Sequence, residues 1–246
     1  MADRDAIVAH ANELLSVERW PEFGPPGLQV VGAAEVTTIA CGVSASRELF
    51  DRAVDAGAGL VLVHHGLFWR NEPLVVDARL RGRLEALFRG EASLVAYHLA
   101  LDAHAELGNS AQLAKRLGAM PTGSFGDFGL ACEIAPLPFD ELLTLVADVT
   151  ERTPLTLAAG PAEVSRLAIS TGGAGYDLVR AAHAGFDVLL TGEAEEPNHH
   201  AARELGINLI AAGHHATERF GVQALADHLA REFQLDWSYI EVANPV

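Results

Sequence analysis

His64 and His65 stand side by side where the apolar run "GLVLV", 59–63, ends. Two imidazoles there are costly to place without partners, because a buried polar group must be satisfied. Further along lie "HLALD", 98–102, and "HHATE", 214–218, each a histidine followed four residues later by a carboxylate. Imidazole and carboxylate together suit first-row divalent metals such as Zn, Fe, Mn, Co or Ni. His64, His65, His98, Asp102, His214 and Glu218 exceed one tetrahedral site, and carboxylates can bridge. Two ions about 3.5–4 Å apart are the natural arrangement for such a set. Side chains alternate along an extended chain, so His64 and His65 are placed to serve different metals rather than share one. The ordinary alternatives are a satisfied strand-end histidine and, for His214 and Glu218, a helical ion pair. A histidine doublet combined with two His-x-x-x-acid segments favours the metal.

These side chains need strands that end together. Apolar spacing predicts a helix over 3–15, and "PEFGPPGLQVVG", 21–32, reads as turn-rich and then extended. Residues 36–43 read as a strand, 44–57 as a helix with a serine cap and a glycine stop, and 59–63 as a buried strand. A helix over 77–90 and a strand over 93–98 complete a β-α-β-α-β pattern, the signature of an α/β layer whose sheet is covered by helices. Sliding Val36 onto Val164 superposes the second half on the first without a gap. Ala53 then meets Ala181, Gly57 meets Gly185, and the His64–His65 doublet meets Gly192–Glu193. With a separate offset, His98 meets His214 and Asp102 meets Glu218. We therefore expect two α/β units of similar topology, an internal duplication. The expected division is a first unit with its N-terminal helix over 1–120, a connecting strand-helix-strand segment over 121–163, and a second unit over 164–246.

Functional groups of α/β sheets gather beyond the carboxyl ends of the strands. That rule directs His64, His65, His98, Asp102, Thr191, Glu193, His214, His215 and Glu218 to one face. His10, His183 and His228 fall inside amphipathic helices and read as surface or boundary residues. His199 and His200 begin a helix after Glu193, and one of them could line the site. "STGGAGYD", 170–177, is a Gly-rich strand-to-helix turn without the lysine of a P-loop. It reads either as an anion-holding backbone or as a tight turn needing positive φ. Ser44 and Ser46 have no histidine nearby in sequence, so both read as capping residues. Cys41 falls inside a buried strand and reads as inert.

Composition narrows the partners. The chain has 246 residues, is 50% hydrophobic and carries a formal charge of −16. That length supports a real core in one or two domains. A polyanionic surface repels phosphate backbones, so nucleic acid is not an expected partner. Cys41 and Cys132 lie far apart and outside any CxxC motif, which fits a reducing cytosol. No apolar run approaches the ~18 residues of a membrane span, and "MADRDAIVAHANELL" has no apolar signal core. The expected location is cytoplasmic.

"VHHGLFW", "YHLALDAHAELGNSAQLA", "STGGAG", "LLTGE" and "AAGHHATERFGVQALADHLA", with "GLQVVG" near the start, together resemble the NIF3-like (DUF34) family. The similarity is to its short bacterial form, labelled GTP cyclohydrolase 1 type 2 homolog, and runs over essentially the whole chain. The resemblance implies a dinuclear metal centre held by His64, His65, Asp102, His214 and Glu218. It places His98 close by, facing the ligands or the substrate. His215 departs from the tyrosine that many members carry there. The resemblance also implies a ring-shaped homohexamer of interlinked α/β domains with the metal sites facing an internal cavity.

The expected function is that of a metal-dependent hydrolase acting on an unidentified small molecule, through a cyclohydrolase-like or other C–N bond or a phosphoester. Two divalent ions would acidify water and polarise the electrophile, and His98, Glu193 or His200 would carry the proton. The alternative is a non-catalytic scaffold that stores, senses or delivers metal.

Overall fold

A computed structural model describes residues 1–246. The chain runs β1 (Ala2–Asp3), α1 (Arg4–Leu15), β2 (Gly27–Val30), β3 (Glu35–Val36), β4 (Thr38–Ser44), α2 (Arg47–Asp55), β5 (Leu60–His65), α3 (Ala78–Arg89), β6 (Ser93–Ala96) and α4 (Leu99–Asp102). It continues through α5 (Asn109–Leu117), β7 (Met120–Phe125), β8 (Gly129–Pro138), α6 (Phe139–Thr150), β9 (Leu155–Leu157), β10 (Glu163–Ile169) and α7 (Leu178–His183). The last elements are β11 (Val188–Thr191), α8 (Asn198–Leu205), β12 (Asn208–Ala211), α9 (His214–Phe233) and β13 (Asp236–Tyr239). Two compact units result: Met1–His104 with Gly221–Ala243, and Ala105–Phe220 with Asn244–Val246.

The first unit holds a five-stranded sheet in the order β13-β4-β5-β6-β2. Strands β13, β4, β5 and β6 are parallel, and β2 closes the edge antiparallel to β6. Alternate residues Ala40, Val61, Val63, Leu94 and Ala96 pack against Leu49, Phe50 and Ala53 of α2 and Ala86 and Leu87 of α3. Leu60 and Leu62, which point the other way, are also buried. A strand buried on both faces reads as a continuous apolar run, which is why "LVLV" shows no alternation. The covering helices begin on side-chain caps: Ser46 Oγ accepts the Leu49 N–H at 3.2 Å, and Asp77 Oδ1 accepts the Leu80 N–H at 2.8 Å.

The second unit holds a six-stranded sheet in the order β7-β8-β10-β11-β12-β9. Its centre repeats the first: β10, β11 and β12 are parallel, and an antiparallel strand, β9, closes the edge beside β12. Leu167, Ile169, Val188, Leu190 and Ile210 pack with Leu113 of α5 and Leu142 and Val146 of α6. The intervening Ala168, Leu189 and Leu209 face Leu178 and Ala181 of α7 and Ala202 of α8. The period-two alternation thus feeds two cores, one on each face of the sheet. The fold is α/β, built from two units of similar topology whose sheets are covered by helices. No helix is long and apolar enough to cross a membrane.

Candidate metal centre

In the first unit the parallel strands deliver the polar groups at their carboxyl ends. β5 does not stop at Val63 but runs through the histidine doublet to His65. His64 is fully buried, and its Nδ1 lies 2.9 Å from the carbonyl oxygen of Tyr97. A carbonyl only accepts, so Nδ1 carries the ring hydrogen and Nε2 presents its lone pair. That Nε2 faces Asp102 Oδ2 at 3.4 Å. Two acceptors aimed at one another across such a gap require a proton or a cation. The structure therefore passes a chemical test for a metal ion at this point, with neutral imidazole and carboxylate as donors.

His65 is held by Ser44, whose Oγ lies 3.0 Å from His65 Nδ1. Ser44 is therefore not a cap, contrary to the expectation from sequence. Parallel pairing of β4 with β5 sets Ser44 directly beside His65, and Ser46 alone caps α2. His98, just beyond β6, has its Nδ1 2.9 Å from Glu22 Oε2. Asp102 follows one turn later, its N–H donating to the His98 carbonyl at 3.0 Å. The ring centroids of His64 and His65 are 4.8 Å apart, and those of His64 and His98 are 5.0 Å apart. One ligand-competent nitrogen of each of these three histidines lies within 4.8 Å of the others.

The second unit supplies a second group. His214 opens α9, and its two ring nitrogens both meet carboxylates. Nδ1 lies 2.6 Å from Glu193 Oε1, and Nε2 lies 3.0 Å from Glu218 Oε2 one helical turn away. The hydrogen bond to Glu218 and then that to Glu193 push the His214 pKa up to about 9, against the opposing effect of burial. A cation clamped between two carboxylates marks a place that favours positive charge. Glu193, read from sequence as a proton carrier, is engaged in orienting His214. His200 sits exposed on α8 with its ring against His199, at a centroid distance of 5.2 Å. His215 is buried, and its N–H donates to the Val246 carbonyl at 3.0 Å.

The Gly-rich turn is tied to this second group. Gly172 has φ +69°, the left-handed region, and a Cβ there would lie 2.2 Å from Glu218 Oε1 and 3.2 Å from His214 Nε2. Its N–H donates to Thr217 Oγ1 at 3.2 Å, and its carbonyl accepts from Thr191 Oγ1 at 3.1 Å. Of the two readings of the turn, the positive-φ requirement is met, and the backbone presses on the carboxylate of Glu218.

One regularity runs through both units. The Nδ1 atoms of His64, His65, His98 and His214 are held by Tyr97, Ser44, Glu22 and Glu193 respectively. Metal-ligating histidines are ordinarily fixed this way, by a carbonyl, hydroxyl or carboxylate on the nitrogen that does not bind. Of these anchors Ser44 and Glu193 stand out in the sequence, each in another role. Glu22 lies in a proline-rich loop remote in sequence from His98, and nothing local signals the contact.

The family model for Duf34/NIF3 (NGG1p interacting factor 3) matches residues 2–245. A relative from Pseudomonas aeruginosa, named GTP cyclohydrolase 1 type 2 homolog, is 44% identical over 246 residues, covering 97% of each chain. One of the same name from Yersinia pestis is 42% identical over 244 residues, covering 95% of this chain and 96% of its own. Among solved structures, the protein ybgI, described as of unknown function, superposes with a TM-score of 0.96 at 40% identity over the full length of both chains. TTHA1606 from Thermus thermophilus superposes with a TM-score of 0.92 at 31% identity, also over both full chains.

Proposed function

This chain belongs to the Duf34/NIF3 family, and from that premise we propose that it is a dinuclear metal-dependent hydrolase of a small molecule. In this reading His64, His65 and Asp102 of the first unit and His214 and Glu218 of the second hold two divalent ions. The bond broken is a C–N bond of the cyclohydrolase type or a phosphoester, the former in keeping with the name of the relatives. The observation that carries the reading is the shared anchoring of Nδ1 in His64, His65 and His214, which leaves Nε2 of each of these three as the donor atom. Bound divalent ions supply Lewis acidity and bring the pKa of water toward neutrality. The chain's own residues do the rest. Tyr97 and Ser44 fix the rings of His64 and His65, and Glu193 fixes that of His214. His98, oriented by Glu22, keeps Nε2 available to take up or release a proton at the reacting group.

The test is elemental analysis of protein purified without chelator or affinity histidines, followed by a turnover screen with Zn, Mn, Fe, Co and Ni. About two ions per chain, and a turnover that His65→Ala abolishes, are expected. Metal-loaded protein that turns over nothing dependent on His65, yet passes metal rapidly to an acceptor, would make it a metal-handling scaffold instead.

A further inference from the structure

Between β5 and α3 the chain carries an apolar segment that is open to solvent: Leu74 is 87% exposed, Val75 65% and Val76 61%. With Leu80 and Arg83 of α3 these side chains line a cleft of about 240 Å³, just below the ~300–1,000 Å³ typical of small-molecule sites. Contiguous apolar surface left in water marks a place where something binds. The walls of the cleft are fixed before any ligand arrives. Both oxygens of Glu72 are held by Arg79, which ties the segment to α3. The Glu72 N–H donates to the Trp69 carbonyl at 3.0 Å, and the Asp77 N–H donates to the Val75 carbonyl at 2.9 Å.

Arg83 is the unmatched group of this cleft. Its side chain is half-buried, and its guanidinium makes no hydrogen bond or ion pair within the protein. The two carboxylates near enough to influence it are committed elsewhere. Glu72 belongs to Arg79, and Asp77 Oδ1 accepts the Leu80 N–H at the start of α3 at 2.8 Å. Burial, and then Arg79, press the Arg83 pKa below the ordinary arginine value, against the pull of Glu72 and Asp77. An arginine stays charged all the same. The chain has 33 acidic residues against 17 Lys and Arg, so carboxylates are not scarce. The neighbouring guanidiniums find theirs: Arg81 pairs with Glu85 and Arg89 with Asp51. Only water or a ligand can supply the acceptor that Arg83 lacks.

We propose that this cleft binds a small aliphatic carboxylate, its chain laid along Leu74, Val75, Val76 and Leu80 and its head paired with the Arg83 guanidinium. A carboxylate matches the planar fork of an arginine with two parallel hydrogen bonds. The apolar wall disfavours a wholly polar anion, and the guanidinium disfavours an alkyl cation. None of these residues belongs to the metal centre, so the proposal stands apart from the hydrolase reading.

The test titrates butanoate, hexanoate and octanoate, with octanol and octylamine as uncharged and cationic controls, into the full-length protein at pH 7.5 by ligand-observed NMR. Excess acetate is present throughout, to occupy any carboxylate position on a metal. Affinity should rise about fivefold or more with each two-carbon extension, as burial of methylene groups requires. Octanoate should bind about tenfold more tightly than octanol, as charge-assisted hydrogen bonds allow. Arg83→Met should reduce that preference to less than about threefold and leave octanol binding unchanged. Leu74→Asp alters the most exposed wall position and should weaken octanoate about tenfold without weakening octylamine, which locates the site even if Arg83→Met fails to fold. Equal binding of octanoate and octanol, octylamine binding as tightly as octanoate, affinity independent of chain length, indifference to both substitutions, or no binding at millimolar concentration would each overturn the proposal. Light scattering on the same samples adds one more outcome. Octanoate binding that appears only when dilution dissociates an assembly would assign this surface to a second copy of the chain and overturn the proposal as well.

Discussion

At the scale of single residues, His214 makes the clearest prediction. Carboxylates on both ring nitrogens raise its pKa to about 9, above the ordinary value near 6.5. In chelated, metal-free protein the charged ring therefore contributes stability that is fully present below about pH 6.5. That contribution is lost as the pH rises through about 9. Thermal melts of chelated wild type and His214→Gln at pH 6, 7.5 and 9.5 should show a difference that shrinks with pH; parallel profiles would contradict the assignment. The two thiols make a second prediction. Cys41 and Cys132 are buried, and burial pushes the Cys132 pKa up to about 11 and that of Cys41 higher still. A thiol reagent at pH 7.5 should modify neither in the native protein and both after denaturation. Cys41 was legible as inert because it lies in an apolar strand. His64, His65, His98, His214 and Glu218 were legible because their types and spacing are unusual. The groups that orient them were less so. Ser44 reaches His65 through the register of two strands, and Glu22 reaches His98 through a loop fold, neither of which local sequence encodes.

At the scale of elements, the strands and helices that carry the site follow from period and caps. The helix expected over 77–90 forms at Ala78–Arg89, and the strand-helix-strand order expected within 121–163 appears as β8, α6 and β9. The strand expected to end at Val63 is longer, because β5 keeps pairing with β4 as far as His65; apolar character ends before the ladder does. The "STGGAG" turn left two readings open in sequence, since glycines permit many conformations and specify none. In the structure Gly172 adopts positive φ against Glu218. Gly172→Ala should cost about 1–2 kcal/mol for the left-handed backbone alone. The added methyl must also displace Glu218 Oε1, which it would otherwise meet at 2.2 Å. The expected outcome is a lowered urea midpoint together with weakened metal retention. Gly206→Ala is the control, because Gly206 also has positive φ, +69°, but a Cβ there meets nothing within 4 Å. It should lose comparable stability while retaining metal. Equal metal retention in both variants would show that the Gly172 turn does not shape the site.

At the scale of the whole molecule, the duplication places equivalent side chains in both units: His98 and Asp102 in one, His214 and Glu218 in the other. Under the proposed function the dinuclear centre draws on His64, His65 and Asp102 of one unit and His214 and Glu218 of the other, and that has a thermodynamic consequence. A ligand that binds only the folded state stabilises it in proportion to the logarithm of its free concentration over Kd, by about 4 kcal/mol at a thousandfold excess. Adding divalent metal to chelated protein should therefore raise the melting temperature by several degrees. If the ions need ligands from both units, His64→Ala in the first and Glu218→Ala in the second should each abolish most of that rise. If each unit binds an ion by itself, each single variant should keep about half the rise, and only the double variant should lose it all. Glu22→Gln should leave the rise largely intact, because Glu22 is not a donor to the metal in this scheme. Melting curves of these four variants and wild type, with and without added Zn or Mn, separate one shared centre from two independent half-sites.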